Sequence, residues 1–231
     1  MSAWQHESFR ATRVNPAPTE LGSEPLAAGI SPALNKLWLP AGVQNDLKIE
    51  HAPLLDGGSL TGGGWKLVWH TTESRWDEID SMYSTLRDER FASHLLIGGR
   101  PGIKRPVVIQ MVPFDRAARA LEHPAGTLQT NRADAIQIEI CGYASESAKW
   151  PEYRYEALAH LLGLIVTRRN IIPRIPIDFA HPHRMSPSQW IKTAGHVGHS
   201  MAPNQTQGHT DPGALRVQHI LDLVAESKTA L

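Results

Sequence analysis

Short apolar runs, separated by polar and glycine-rich stretches, set the pattern of this chain from residue 65 onward. WKLVWH (65–70) is one such run and reads as a strand. TTES (71–74) follows, with hydroxyls suited to capping a helix. In WDEIDSMYSTLRD (76–88), Ile79, Met82, Tyr83 and Leu86 recur at helical spacing. SHLLI (93–97) and PVVIQMV (106–112) read as two strands split by a GGRPGIKRP turn, a hairpin pattern. AIQIEICGY (135–143) alternates, with Ile136, Ile138 and Ile140 on one face and Gln137, Glu139 and Cys141 on the other.

Further on, PEYRYEALAHLLGLIVTRRN (151–170) carries the strongest helical pattern, with Pro151 suited to its first turn. SPSQWIKTA (186–194) predicts a short helix, and PGALRVQHILDLVAESK (212–228) an amphipathic one. Residues 113–130 read as a long polar loop or a short helix, and 195–212 as irregular. Interleaved strands and helices predict an α/β fold with a mixed central β-sheet flanked by helices. Residues 1–50, rich in Pro, Ala, Gly and Ser, predict an extended N-terminal arm, with Leu37, Trp38 and Leu39 suited to anchoring it. That leaves 51–231 as the main folded domain.

Composition narrows the function classes. The 231 residues suffice for one hydrophobic core, and 41% hydrophobic with 20% charged residues describes a folded globular chain. The formal net charge is +0, so the basic excess of a nucleic-acid binder is missing, and no polybasic stretch suits a membrane surface. No apolar run is long enough to predict a transmembrane helix. The opening MSAWQHESFRATRV has no apolar core of a signal peptide, so none is expected. One cysteine, Cys141, excludes an intrachain disulfide framework. The 12 histidines are an excess that makes metal chemistry worth seeking.

His70 ends the first apolar strand, Glu139 sits opposite the isoleucine face, and His199 and Asp211 flank a late irregular loop. Two imidazoles and a carboxylate suit a catalytic zinc site with an open position for water, and a second carboxylate suits proton transfer. Spacing alone does not establish such a site, because ligands from distant segments have no short-range regularity.

Five fragments, in order, supply a resemblance. VWHTTES, SHLLI with VVIQMVPFDRAARA, TNRADAIQIEICGYA, GHSMAP and HTDPGAL together resemble the type 2 N-acetylmuramoyl-L-alanine amidases, the family that includes phage endolysins and peptidoglycan recognition proteins. The similarity spans about 65–226, and PFDRAARALEHPAG looks most like amidases of actinobacteria and their phages. The resemblance implies Zn2+ held by His70, His199 and Asp211, with Glu139 as acid/base and His209 as donor to the developing oxyanion. His209 as third ligand, with Asp211 behind it, is the other reading. The implied substrate is peptidoglycan, cut between the muramic acid lactyl group and L-alanine. The implied setting is a phage endolysin held in the host cytoplasm until holin lesions release it. A non-catalytic peptidoglycan-binding module and a cytosolic muropeptide-recycling amidase are the alternatives.

Other chemistry-bearing residues read as structural. His196 competes with His199, but the GHSMAP wording favours His199. His94 suits either a cleft wall or a satisfied core position. His181 and His183 in a proline-rich loop read as surface residues. Trp65, Trp69, Trp150 and Trp190 read as packing residues, and Arg116 and Arg119 as a solvated loop. Nothing around Cys141 suggests a nucleophile. Asp211, before Pro-Gly, also suits an N-cap of the last helix.

Overall fold

In a computed structural model, the described residues are 37–44, 46–205 and 208–229. They fall within the compact unit Ser31–Leu231. A seven-stranded sheet forms its centre. In chain order the strands are β1 (Gly42–Gln44), β2 (Leu47–His51), β3 (Lys66–Thr71), β4 (Leu95–Arg100), β5 (Ile103–Gln110), β6 (Ala135–Ile140) and β7 (Gly195–Gly198). The helices are α1 (Ile79–Asp88), α2 (Glu152–Val166), α3 (Pro187–Lys192) and α4 (Val217–Thr229). Across the sheet the order is β1-β2-β5-β4-β6-β3-β7. β1–β2 and β4–β5 are antiparallel; the other neighbours are parallel. The expected mixed α/β sheet is therefore present.

Strand alternation divides the core in two. Leu95, Ile97, Val108, Ile136, Ile138, Ile140, Leu67 and Trp69 join Leu158, Leu161 and Leu162 of α2 and Ile220 of α4 in the larger cluster. Leu96, Val107 and Ile109 face the other way and pack with Ile79, Met82, Tyr83 and Leu86 of α1. Both sheet faces are thus covered, as long parallel strands require. Each fully buried leucine or isoleucine contributes about 1.5–3 kcal/mol.

Four differences from the sequence reading have local causes. First, the last part of the expected arm is sheet: β2 pairs with β5 from Lys48↔Val107 to His51↔Gln110. Leu39 is fully buried, its N–H donating to Gln110 Oε1 at 2.7 Å, so the expected anchor at 37–39 holds at that residue. Second, α1 begins at Ile79 rather than near residue 76. Trp76 gives its carbonyl to the N–H of Gly99, and Arg75 N–H donates to the Glu78 carboxylate, so 75–78 is a turn. Third, GHVG is a strand, not irregular chain. It pairs with β3 from Lys66↔Gly195 to Trp69↔Gly198. One apolar side chain leaves no periodic signal; backbone pairing to β3 forms this strand.

The last helix starts later than expected, at Val217, because 211–213 is a tight turn. Gly213 has φ +66°, and a Cβ there would stand 2.1 Å from the Ala144 carbonyl oxygen, so only glycine fits. Asp211 lies in this turn and does not cap α4.

Candidate metal centre

The parallel strands β6, β3 and β7 lie side by side, and their carboxyl ends share one edge of the sheet. Crevices outside such ends gather functional side chains in open α/β sheets. His70 is near the end of β3, and Glu139 faces it directly across the β3–β6 pair. Partners in register project to the same face, so both side chains leave the sheet together. His199 follows β7 at once, in a turn of 3-10 helix at His199–Met201. The Pro-Gly turn returns Asp211 to the same point, and Ser200 N–H bonds the Asp211 carbonyl at 2.9 Å.

Three donor atoms converge. His70 Nδ1 lies 3.1 Å from His199 Nδ1 and 3.5 Å from Asp211 Oδ2. His199 Nδ1 lies 3.1 Å from the same Oδ2. All three residues are buried, and among the described residues they form the one group able to hold a metal ion, with ligand atoms within 4.8 Å of one another. A tetrahedral zinc ion with bonds of about 2.0–2.1 Å spaces its ligands about 3.3 Å apart. The observed spacing fits that ion without rearrangement, and a nitrogen–nitrogen–oxygen set is one that zinc accepts.

Charge around the cluster follows from burial and contacts. Burial acts to raise the Asp211 carboxyl, but its close contacts with the rings of His199, His209 and His70 outweigh it and hold it well below the usual range. Burial lowers His70, which favours the neutral ring that a ligand needs. Glu139, 9% exposed, has its Oε1 3.7 Å from His70 Nδ1. Burial, with the nearby charges of Asp211 and Glu73, pushes its carboxyl up to about 8. A carboxyl poised near neutrality suits proton transfer.

His209 sits over the cluster. Its ring stacks on His199 at 4.0 Å between centroids, and its Nδ1 is 3.6 Å from Asp211 Oδ1. Its Nε2 is buried and, among the described residues, has no hydrogen-bond partner. His209 is not part of the converging donor set, whereas Asp211 is.

The residues read as structural fall outside this cluster. His94 is buried, its Nε2 2.9 Å from the Arg116 carbonyl and its Nδ1 accepting from Gln137 N–H at 3.0 Å. His196 is buried and accepts from Trp69 Nε1 at 3.3 Å. His181 is exposed and pairs with Asp178. Arg116 pairs with Asp56 rather than standing solvated alone. Trp69, Trp150 and Trp190 are buried. Cys141 is buried, and burial pushes its thiol up to about 12, so no thiolate is available. A cavity of about 750 Å³, lined in part by Arg119, Glu122, His123 and Arg132, includes none of the cluster residues in its wall. The candidate chemistry lies with the donor set and not with this hollow.

Sequence reasoning missed the residues that hold the two histidines. Gln137 Oε1 lies 3.0 Å from His70 Nε2, and Gln205 Oε1 lies 3.2 Å from His199 Nε2. Gln137 carried a usable signal, because it stands two positions before Glu139 on the same strand face. Gln205 carried none within its irregular segment.

A buried His-His-Asp donor set with a carboxyl beside it, on an α/β sheet, is an arrangement suited to metal-assisted hydrolysis. Comparison with known proteins makes this specific. Residues 65–214 match the family described as N-acetylmuramoyl-L-alanine amidase, and the chain belongs to that family. No curated protein sequence matches it. Among solved structures, it is similar to the Staphylococcus aureus hydrolase AmiA in complex with its ligand, at 14% identity and TM-score 0.48, covering 78% of this chain and 82% of that one. A mutant of PlyL is similar at 16% identity and TM-score 0.43, covering 79% and 94%. The endolysin amidase LysCS from Clostridium intestinale is similar at 16% identity and TM-score 0.43, covering 80% and 96%.

Proposed function

We propose that this protein is a zinc-dependent N-acetylmuramoyl-L-alanine amidase that hydrolyses the bond between the muramic acid lactyl group and L-alanine of peptidoglycan. The observation that carries the reading is the approach of His70 Nδ1, His199 Nδ1 and Asp211 Oδ2 to 3.1–3.5 Å of one another, with Glu139 Oε1 3.7 Å from His70. Membership of the amidase family supports the choice of bond.

His70, His199 and Asp211 are the residues that would hold the ion. When bound, zinc supplies a Lewis acid that polarises the scissile carbonyl and acidifies a water molecule. Glu139 takes a proton from the attacking water as its oxygen joins the carbonyl carbon. His209 donates a hydrogen bond to the oxygen on which negative charge develops. Glu139 then returns the proton to the departing alanine nitrogen as the carbon–nitrogen bond breaks. A lactyl carboxylate and a free peptide amine result, with no covalent enzyme intermediate.

The biological role we propose is that of a phage endolysin, kept in the host cytoplasm until holin lesions admit it to the wall. Among the described residues no helix is long and apolar enough to cross a membrane. Purified protein, its metal content measured, is incubated with intact sacculi and with soluble muropeptides. The expected result is zinc-dependent release of stem peptides with free L-alanine amines from sacculi, abolished by chelation. Binding to sacculi without release would identify a non-catalytic wall-binding module. Release from soluble fragments alone would identify a recycling amidase.

A further inference from the structure

Two buried glutamines touch the far side of the histidine pair, and both have their amides oriented by backbone. Asn131, 3% exposed, accepts at Oδ1 from the N–H groups of Ala120 and Leu121 at 3.2 and 2.9 Å, and its Nδ2 donates to the Leu121 carbonyl at 2.7 Å. Backbone N–H groups cannot accept, so the Asn131 amide has one orientation. Its Oδ1 also accepts from Gln137 Nε2 at 2.7 Å. That contact turns Gln137 Oε1 toward His70 Nε2, which must carry the hydrogen. In the neutral ring the Nδ1 lone pair is then left facing Asp211.

The second histidine is treated alike by different residues. Gln205 Nε2 donates to the carbonyls of Glu122 and Pro203 at 2.9 and 3.0 Å, and its Oε1 accepts from Glu122 N–H at 3.1 Å. Its oxygen therefore faces His199 Nε2, and the Nδ1 lone pair of His199 also points inward. Both chains of hydrogen bonds end on one short stretch of backbone, residues 120–122. Gln137 and Gln205 are both buried, so bulk solvent does not compete for their amides.

We propose that Gln137 and Gln205 are positioning residues that lock His70 and His199 in the Nε2–H tautomer, with segment 120–122 as their common frame. This inference rests on the zinc reading given above. Its consequence is a preformed pocket of three lone-pair-bearing atoms that one cation can satisfy together. The ring orientation and tautomer are set before the ion arrives, so less ordering accompanies binding. It also joins a polar loop remote in sequence to ligand geometry.

The test reads tautomers directly. Long-range 1H–15N correlation spectra of uniformly labelled, metal-free protein at neutral pH report which nitrogen of each ring is protonated. His70 and His199 are expected as Nε2–H. Gln137→Met and Gln205→Met, close in size but lacking the acceptor, are expected to populate the Nδ1–H form at the affected ring alone. Zinc affinity, measured by competition with a fluorescent chelator, is expected to fall about 10–100-fold in each. An Nδ1–H signal from either ring of the wild type overturns the proposal, and needs no variant to fold. Unchanged tautomers and unchanged zinc affinity in both folded variants overturn it too. Failure of the wild type to bind zinc, with its rings in the Nε2–H form, would instead count against the zinc reading and leave the locks in place.

Discussion

His70 and Glu139 are register partners in the parallel β3–β6 pair, and their side chains meet at 3.7 Å, Nδ1 to Oε1. Neighbouring strands thus fix a ligand candidate and the proposed proton carrier at one level of the sheet. Neither side chain has room to drift, since both strands are buried along their whole length.

Glu139→Gln keeps the shape of the side chain and removes its ability to take a proton. Amide hydrolysis is expected to fall by about 10²–10⁴ in kcat. Zinc content is expected to stay at the wild-type level. Loss of zinc in this variant would show that Glu139 is a ligand and not the base.

His209 and Asp211 are expected to separate cleanly. His209→Ala removes the donor proposed for the developing oxyanion and is expected to lower kcat by about 10²–10³, with zinc affinity changed only a few-fold. Asp211→Asn is expected to lose most of the zinc, read by metal analysis after dialysis. The reverse outcome would make His209 the third ligand, with Asp211 behind it.

Burial lowers both His94 and His196 to about 4. Their unfolded-state value is near 6.5, so the folded state holds fewer protons between these limits. Stability from the neutral rings is complete above pH 6.5 and is lost as the pH falls toward 4. By linkage each contributes on the order of 3 kcal/mol to that acid loss. His196→Gln keeps an acceptor for Trp69 Nε1 and does not titrate. Urea unfolding from pH 7 to 4 is expected to show a shallower decline in this variant.

Cys141 packs with Ile79, Ala92, Leu96 and Val107. Cys141→Ala is expected to retain activity within about twofold and to cost about 1 kcal/mol for the lost volume. The native thiol is expected to resist alkylation until the protein unfolds. A large fall in kcat without a fall in stability would reopen a role for sulfur.

Much of this molecule was legible in the order of its residues. Ile136, Ile138 and Ile140 announced a strand with one face inward, and β6 is that strand. Ile79, Met82, Tyr83 and Leu86 announced the face of α1 that packs on the sheet. The four motif residues His70, Glu139, His199 and Asp211 were named by resemblance, and the fold brings them together. GHVG was not legible as a strand, because one valine among two glycines and a histidine has no period to detect. Nor was Gln205, whose role depends on a contact with Glu122, far away in the chain.

The sequence by itself determined the elements whose apolar side chains repeat every second or every third to fourth position, since burial of one face is a local property. It also determined which residue types were available for metal chemistry. Tertiary structure alone decided that β6, β3 and β7 stand as neighbours, that a Pro-Gly turn brings Asp211 back to His199, and that residues 120–122 brace both histidines. The reason is physical: donor atoms meet through backbone pairing between segments distant in the chain, and no local pattern encodes which strand another strand will choose.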